Sequence, residues 1–154
     1  MNSPHNHCSQ AMHWSGVELN EIQEKCHPVL MESDQNVLIS APTGSGKTIC
    51  FEFALHRHFR QHPTAKAVYI APLRAICQEK YEDWCTKFSN CNLLIKDSPT
   101  NDYSSSLYIA TPEKWDHFTR SGPGIALLKE LRLILVHTSW YYGTNFYRLT
   151  RCTS

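Results

Sequence analysis

The chain has 154 residues, 42% of them apolar, with 15 basic side chains against 14 acidic ones for a formal charge of +1. That is enough for one domain around a single core and too little for two good-sized domains. The near-balance of charge leaves no global basic field advertising nucleic acid. Apolar runs such as residues 133–136 fall far short of the roughly 20 residues that span a bilayer, so no membrane partner is expected. The opening Met-Asn-Ser-Pro-His-Asn-His lacks a basic region followed by an apolar one, so no secretory signal is expected. Seven cysteines, none in a CxxC pair, are expected to stay reduced inside the cell.

In chain order, residues 1–15 are rich in His, Ser and Asn without periodicity and read as a loose tail. His5, His7, Cys8 and His13 fall within it, but donors on a flexible tail lack the fixed geometry of a metal site, and none is expected there. Leu19, Ile22, Cys26 and Leu30 recur at helical spacing, with Pro28 predicting a kinked helix or two short ones. Val37-Leu38-Ile39 reads as a buried strand, followed by a Gly-rich turn and a helix over 49–59. Ala67-Val68-Tyr69-Ile70 is a second strand. Leu73, Ile76, Cys77, Tyr81, Trp84 and Phe88 then mark one stripe of an amphipathic helix.

Two further strands are expected at 93–95 and 107–109, then a short helix from Glu113, a Gly-Pro-Gly break at 122–124 and a last strand at 131–136. Strands alternating with helices at this spacing predict an α/β fold, a parallel sheet with helices on both faces.

The strongest chemical signal is Ala41-Pro42-Thr43-Gly44-Ser45-Gly46-Lys47-Thr48, set between a strand and a helix. Glycines let backbone N–H groups turn inward around a phosphate, and the helix N-terminus adds the positive end of its dipole. Lys47 can reach the β- and γ-phosphates of a nucleotide such as ATP, and the Thr48 hydroxyl can ligate Mg²⁺. The pattern G-x-x-x-x-G-K-[ST] is met except at its first position, which is Ala41 here.

The loop alone does not separate a kinase from a transporter ATPase or a helicase; its neighbours do. Ala41 to Thr48 resembles motif I of superfamily 2 helicases, Ala71-Pro72-Leu73-Arg74-Ala75 resembles their motif Ia, and Thr111-Pro112-Glu113-Lys114-Trp115-Asp116 resembles motif Ib. The last spelling is similar to the DExH-box branch of tandem-cassette helicases, which includes the spliceosomal snRNP helicase and the helicase subunit of the activating signal cointegrator complex. Leu19-Asn20-Glu21-Ile22-Gln23 resembles the upstream element of the same family. The likeness covers roughly residues 17–136, in the family's order.

The resemblance implies a RecA-like P-loop domain over residues 16–136. Gln23 would read the adenine edge, with an exposed amide as the plain alternative. Thr43, Gly44, Ser45, Gly46, Lys47 and Thr48 would hold ATP and Mg²⁺. Pro72 and Arg74, with Thr111 and Pro112, would contact the backbone of RNA or DNA without sequence preference, a solvated Arg74 being the alternative. A nuclear rather than cytoplasmic location also rests on the family alone.

One departure is large. The family places an Asp-Glu-x-His box after the strand that here runs Leu131 to Val136, where this chain has His137-Thr138-Ser139-Trp140, and no acidic residue follows Glu130. The carboxylates that hold the metal and position the attacking water are therefore not expected from residues 137–154, and no catalytic residue is assigned. A neutral imidazole at His137 is a poor substitute, since Mg²⁺ prefers oxygen ligands.

Residues 137–154 match nothing in the family, and the domain is expected to be an incomplete one. Its unfinished sheet would leave an open strand edge for a protein partner. The function expected is that of the ATP-binding portion of a helicase with doubtful turnover. The alternatives are a non-catalytic binding or decoy fragment and an unstable product.

Overall fold

The apolar runs read as strands all enter one sheet. A computed structural model describes residues 18–99, 102–139 and 144–152. In it β1 (Val37–Pro42), β2 (Lys66–Ile70), β3 (Cys91–Leu94), β4 (Leu107–Ala110), β5 (Leu131–Ser139) and β6 (Thr144–Arg151) lie in the order β1-β6-β5-β2-β4-β3. β2 pairs in parallel with β4 and β5, and β3 pairs in parallel with β4. β6 is antiparallel to both β5 and β1, so β1 points the same way as the other parallel strands.

The wholly parallel sheet expected from the alternation is corrected at β6. A parallel neighbour needs a crossover of about a dozen residues or more, and only residues 140–143 separate β5 from β6, so the chain turns back on itself. β6 takes the place beside β5, and β1 and β3 are the sheet's two edge strands among the described residues.

Side chains alternate across the sheet with the strand period of two. Ala67, Tyr69, Leu107, Ile109, Leu133 and Leu135 face one core with Leu30 of α1 (Glu21–Glu32), Phe51, Phe53 and Leu55 of α2 (Lys47–Gln61) and Trp84 of α3 (Arg74–Lys87). Val68, Tyr108 and Ala110 face the other, with Phe118 of α4 (Pro112–Thr119) and Leu127 of α5 (Gly122–Leu128). Helices therefore cover both faces. Leu131 and Leu133 fall on opposite faces because the β2–β5 register shifts between Lys66 and Ala67. Trp84, Tyr69, Phe51 and Phe53 are almost wholly excluded from water, each contributing about 1.5–3 kcal/mol of burial.

Of the two readings for the first helix, the structure has one helix, α1, with Pro28 inside it, rather than two short ones. That helix starts from a complete capping box: the Asn20 side chain accepts from the N–H of Ile22 at 3.1 Å and of Gln23 at 3.0 Å, while Gln23 reaches back to the Asn20 N–H. Gly-Pro-Gly is not a break but the first turn of α5. Proline fits where no intrahelical donor is needed, and the Ser121 hydroxyl accepts from the Gly124 N–H at 3.1 Å. The His5, His7, Cys8 and His13 cluster lies outside the described residues.

Candidate nucleotide and nucleic-acid site

Every motif residue singled out after a strand sits at the carboxyl edge of the sheet, where open α/β sheets place ligands. β1 ends in the loop 43–46, β2 leads to Pro72 and Arg74, β4 leads to Thr111 and Pro112, and β5 carries His137 toward its end. Only Gln23 comes from elsewhere, the first turn of α1.

The loop after β1 has the backbone its sequence requires. Gly44 and Gly46 adopt φ of 80° and 75°, the left-handed region that only glycine enters without strain. A Cβ on Gly46 would lie 2.4 Å from Gln23 Nε2, so a larger residue would displace the Gln23 amide as well as strain the backbone. Lys47 opens α2 and is only 3% exposed. Its Nζ donates to the Ala41 carbonyl at 2.7 Å, to Ser45 Oγ at 2.9 Å and to the Pro42 carbonyl, which holds the ammonium inside the curve of the loop. Burial pulls its pKa below the usual lysine value. Thr43 and Gly44 are exposed on the loop, and Thr48 is half-buried on the first turn of α2.

The start of α1 is tied to this loop by two amides. Gln23 Nε2 donates to the Gly46 carbonyl at 3.0 Å, and Asn20 Nδ2 donates to the Ser45 carbonyl at 3.0 Å. Gln23 is only 5% exposed, which sets aside the exposed-amide alternative. The role of Asn20 as a loop brace was not expected from sequence, although its place three residues before Gln23 is the capping-box signature.

A groove of about 710 Å³ joins the second and third motifs. Pro72, Arg74 and Thr111 line it together with Lys96 and Lys114, whose positive charge is partly balanced by Asp97 and Glu113. Pro112 follows Thr111 as the first residue of α4 and is exposed. Thr111 is buried at the N-cap of α4 without capping it through its side chain, so the positive end of that helix faces the groove's rim. Arg74 is half-exposed and lies 4.0 Å from Asp97.

At the end of β5, His137 is buried with Nδ1 3.1 Å from the Tyr69 hydroxyl. Burial first, then the positive charges of Lys47 and Lys80, hold its pKa below the ordinary histidine value, so the imidazole is neutral near pH 7. Among the described residues no cluster of three or more His, Cys, Asp or Glu side chains forms a metal cage. Thr48, on the first turn of α2, carries a hydroxyl oxygen, the kind of donor that suits Mg²⁺. No described helix is long and apolar enough to cross a membrane.

Comparison with known proteins supplies the family. The model of the DEAD/DEAH box helicase family matches residues 20–137. The chain is 40% identical over 129 residues to the probable ATP-dependent DNA helicase HFM1 of Xenopus tropicalis, covering 76% of this chain and 10% of that protein. It is 38% identical over 125 residues to activating signal cointegrator 1 complex subunit 3 of Bos taurus, covering 76% of this chain and 6% of that protein. It thus spans about a tenth or less of the length of these relatives.

The solved structure of the DUF1998 helicase MrfA bound to DNA and AMPPNP shares the fold, with a TM-score of 0.61 at 18% identity over 79% of this chain and 19% of that one. The match across residues 20–137 places the chain in the DEAD/DEAH box helicase family.

Proposed function

We propose that these 154 residues bind ATP with Mg²⁺ at the loop 43–48 and the backbone of RNA or DNA along the groove of Pro72, Arg74, Thr111 and Pro112, without hydrolysing ATP on their own. One observation carries the reading: two left-handed glycines and a buried Lys47 lie between a sheet strand and the N-terminus of α2. Backbone N–H groups and the Lys47 ammonium would hold the β- and γ-phosphates, exchanging lysine's bonds to strand-end carbonyls for charge-assisted ones. Thr48 would ligate the metal that the nucleotide brings, and that metal would supply charge neutralisation on the phosphates. Gln23 would read the adenine edge by exchanging the Gly46 carbonyl for the base, since an amide both donates and accepts.

Turnover asks for more than grip. It needs a carboxylate at the metal and a group that positions water, and the end of β5 offers a neutral His137 hydrogen-bonded to Tyr69. The groove's contacts would be to phosphate and sugar, which predicts binding that is indifferent to base sequence and weakened by salt. A nuclear location belongs to the same proposal, resting on the family resemblance, and imaging a tagged chain tests it.

A fluorescent ATP analogue titrated into the chain with Mg²⁺ tests the nucleotide site. Saturable binding that Lys47→Ala weakens by about 10- to 100-fold supports it, on the scale of one or two charge-assisted hydrogen bonds. Binding that is equal in the two proteins refutes it.

A further inference from the structure

The wall of the groove that holds Pro72, Arg74 and Thr111 carries acidic residues that a nucleic-acid backbone does not call for. With His117 counted as neutral, Arg74, Lys96 and Lys114 face Asp97 and Glu113, a surplus of one positive charge. A carboxylate in a groove for a polyanion opposes binding, so each one asks for a reason. Glu113 has one, since it lies in the first turn of α4, where a negative side chain offsets the positive end of the helix dipole. Asp97 lies in no helix.

Asp97 is nevertheless held firmly in place. It belongs to the turn after β3, with a φ of 69° in the left-handed region that Asp enters more readily than most residues. Ser98 closes this turn: its Oγ accepts from the Ile95 N–H at 3.0 Å and donates to the Ile95 carbonyl at 2.7 Å, and its N–H donates to the same carbonyl at 3.1 Å. Lys114 Nζ donates to the Ser98 carbonyl at 3.1 Å, which fastens the turn to α4. The Asp97 carboxylate takes no part in these bonds, and Asn or Gly would suit the same backbone without a charge.

What the carboxylate does meet is Arg74. Asp97 Oδ2 lies 4.0 Å from Arg74 Nη2, and among the described residues neither side chain has another hydrogen-bond or ion-pair partner. Both are more than half exposed, and a long ion pair in that setting adds little to folding stability. A backbone phosphate can offer a guanidinium two parallel, charge-assisted hydrogen bonds, a stronger partnership than this one. Arg74 therefore has a weak internal partner that a phosphate can replace.

We propose that Asp97 is an internal competitor for Arg74, holding the guanidinium until a backbone phosphate displaces it; this presupposes the groove's nucleic-acid role proposed above. Asp97 would thereby lower the affinity for single strands of any sequence and keep their binding readily reversible. Neutralising it raises the groove's surplus from one positive charge to two. It also removes a carboxylate that repels the phosphate Arg74 takes up. Both effects act in the same direction, and both fade with salt, since charges are screened over about 10 Å at 0.1 M.

The test follows the anisotropy of fluorescein-labelled oligouridylate and oligodeoxythymidylate titrated with the full chain and with Asp97→Asn, Asp97→Gly, Arg74→Ala and the Asp97→Asn/Arg74→Ala double variant. Asn and Gly both accept the left-handed backbone, so agreement between them separates the lost charge from a folding defect, and a misfolded groove would not bind more tightly. At about 50 mM salt both Asp97 variants are expected to bind both oligonucleotides about three- to tenfold more tightly than the parent, a gain that shrinks below about twofold at 0.5 M. In the Arg74→Ala background the Asp97→Asn gain is expected to be at least about twofold smaller, the mark of coupling between the two side chains. An equal gain in both backgrounds overturns the competition for Arg74. Weaker binding in Arg74→Ala with no gain in either Asp97 variant also overturns it, and leaves the groove's nucleic-acid role standing. Binding that matches the parent in every variant overturns both.

Discussion

β1 and β5 run in the same direction and are separated by one strand, yet their carboxyl ends differ in kind. β1 ends in a loop whose glycines, lysine and helix N-terminus would form the proposed phosphate cradle from contiguous residues. β5 ends in a buried, neutral histidine bonded to Tyr69, where hydrolysis would call for carboxylates. On the proposed reading, holding a triphosphate falls to one local segment, whereas cleaving it depends on side chains that separate strands must bring together. A chain can keep the first without the second.

The largest effect that could break this contrast is at Lys47. Lys47→Ala should weaken ATP-analogue binding by about 1.5–3 kcal/mol, the range for hydrogen bonds to a charged group, as read by fluorescence titration. Gly46→Ala should come next, because it forces a left-handed φ of 75° on a residue with a Cβ that meets Gln23 Nε2 at 2.4 Å. A loss of roughly 1–3 kcal/mol in urea unfolding is expected, with nucleotide affinity falling in parallel.

Gln23→Ala removes half of the capping box and one of the two amide braces, and should cost about 1 kcal/mol in the same assay. Arg74→Ala should have the smallest effect, weakening RNA and DNA binding alike and lowering the salt slope for single strands by about 0.7. If its effect depended on base sequence, the backbone reading of the groove would be wrong.

Acid should expose the other end of α2. The His58 pKa lies at about 4 in the folded chain against an ordinary 6.5. Between these values the unfolded chain binds more protons, so stability present above pH 6.5 is lost as pH falls toward 4. Chemical unfolding at stepped pH should show this loss, and His58→Gln should flatten it relative to the parent.

Much of this was legible in the sequence where chemistry is local. The loop 41–48 declares itself because glycine, lysine and threonine at fixed spacing answer one geometric need. The strand cores of β2, β4 and β5 declare themselves because Val68, Ile109 and Leu133 belong to short apolar runs. β6 was not legible: Asn145, Arg148 and Thr150 interrupt its apolar residues, and its place between β1 and β5 is set by pairing partners more than 100 residues apart in the β1 case. Gly-Pro-Gly misled for a related reason, since a local breaker is overridden by the Ser121 cap that makes proline a helix starter.

The most direct test is phosphate release from purified chain at saturating ATP and Mg²⁺, with and without single-stranded RNA or DNA, beside the Lys47→Ala protein. The account predicts equal, background-level release from both proteins in every condition, although only the parent binds the ATP analogue. Nucleic-acid-stimulated release that disappears in Lys47→Ala would contradict it.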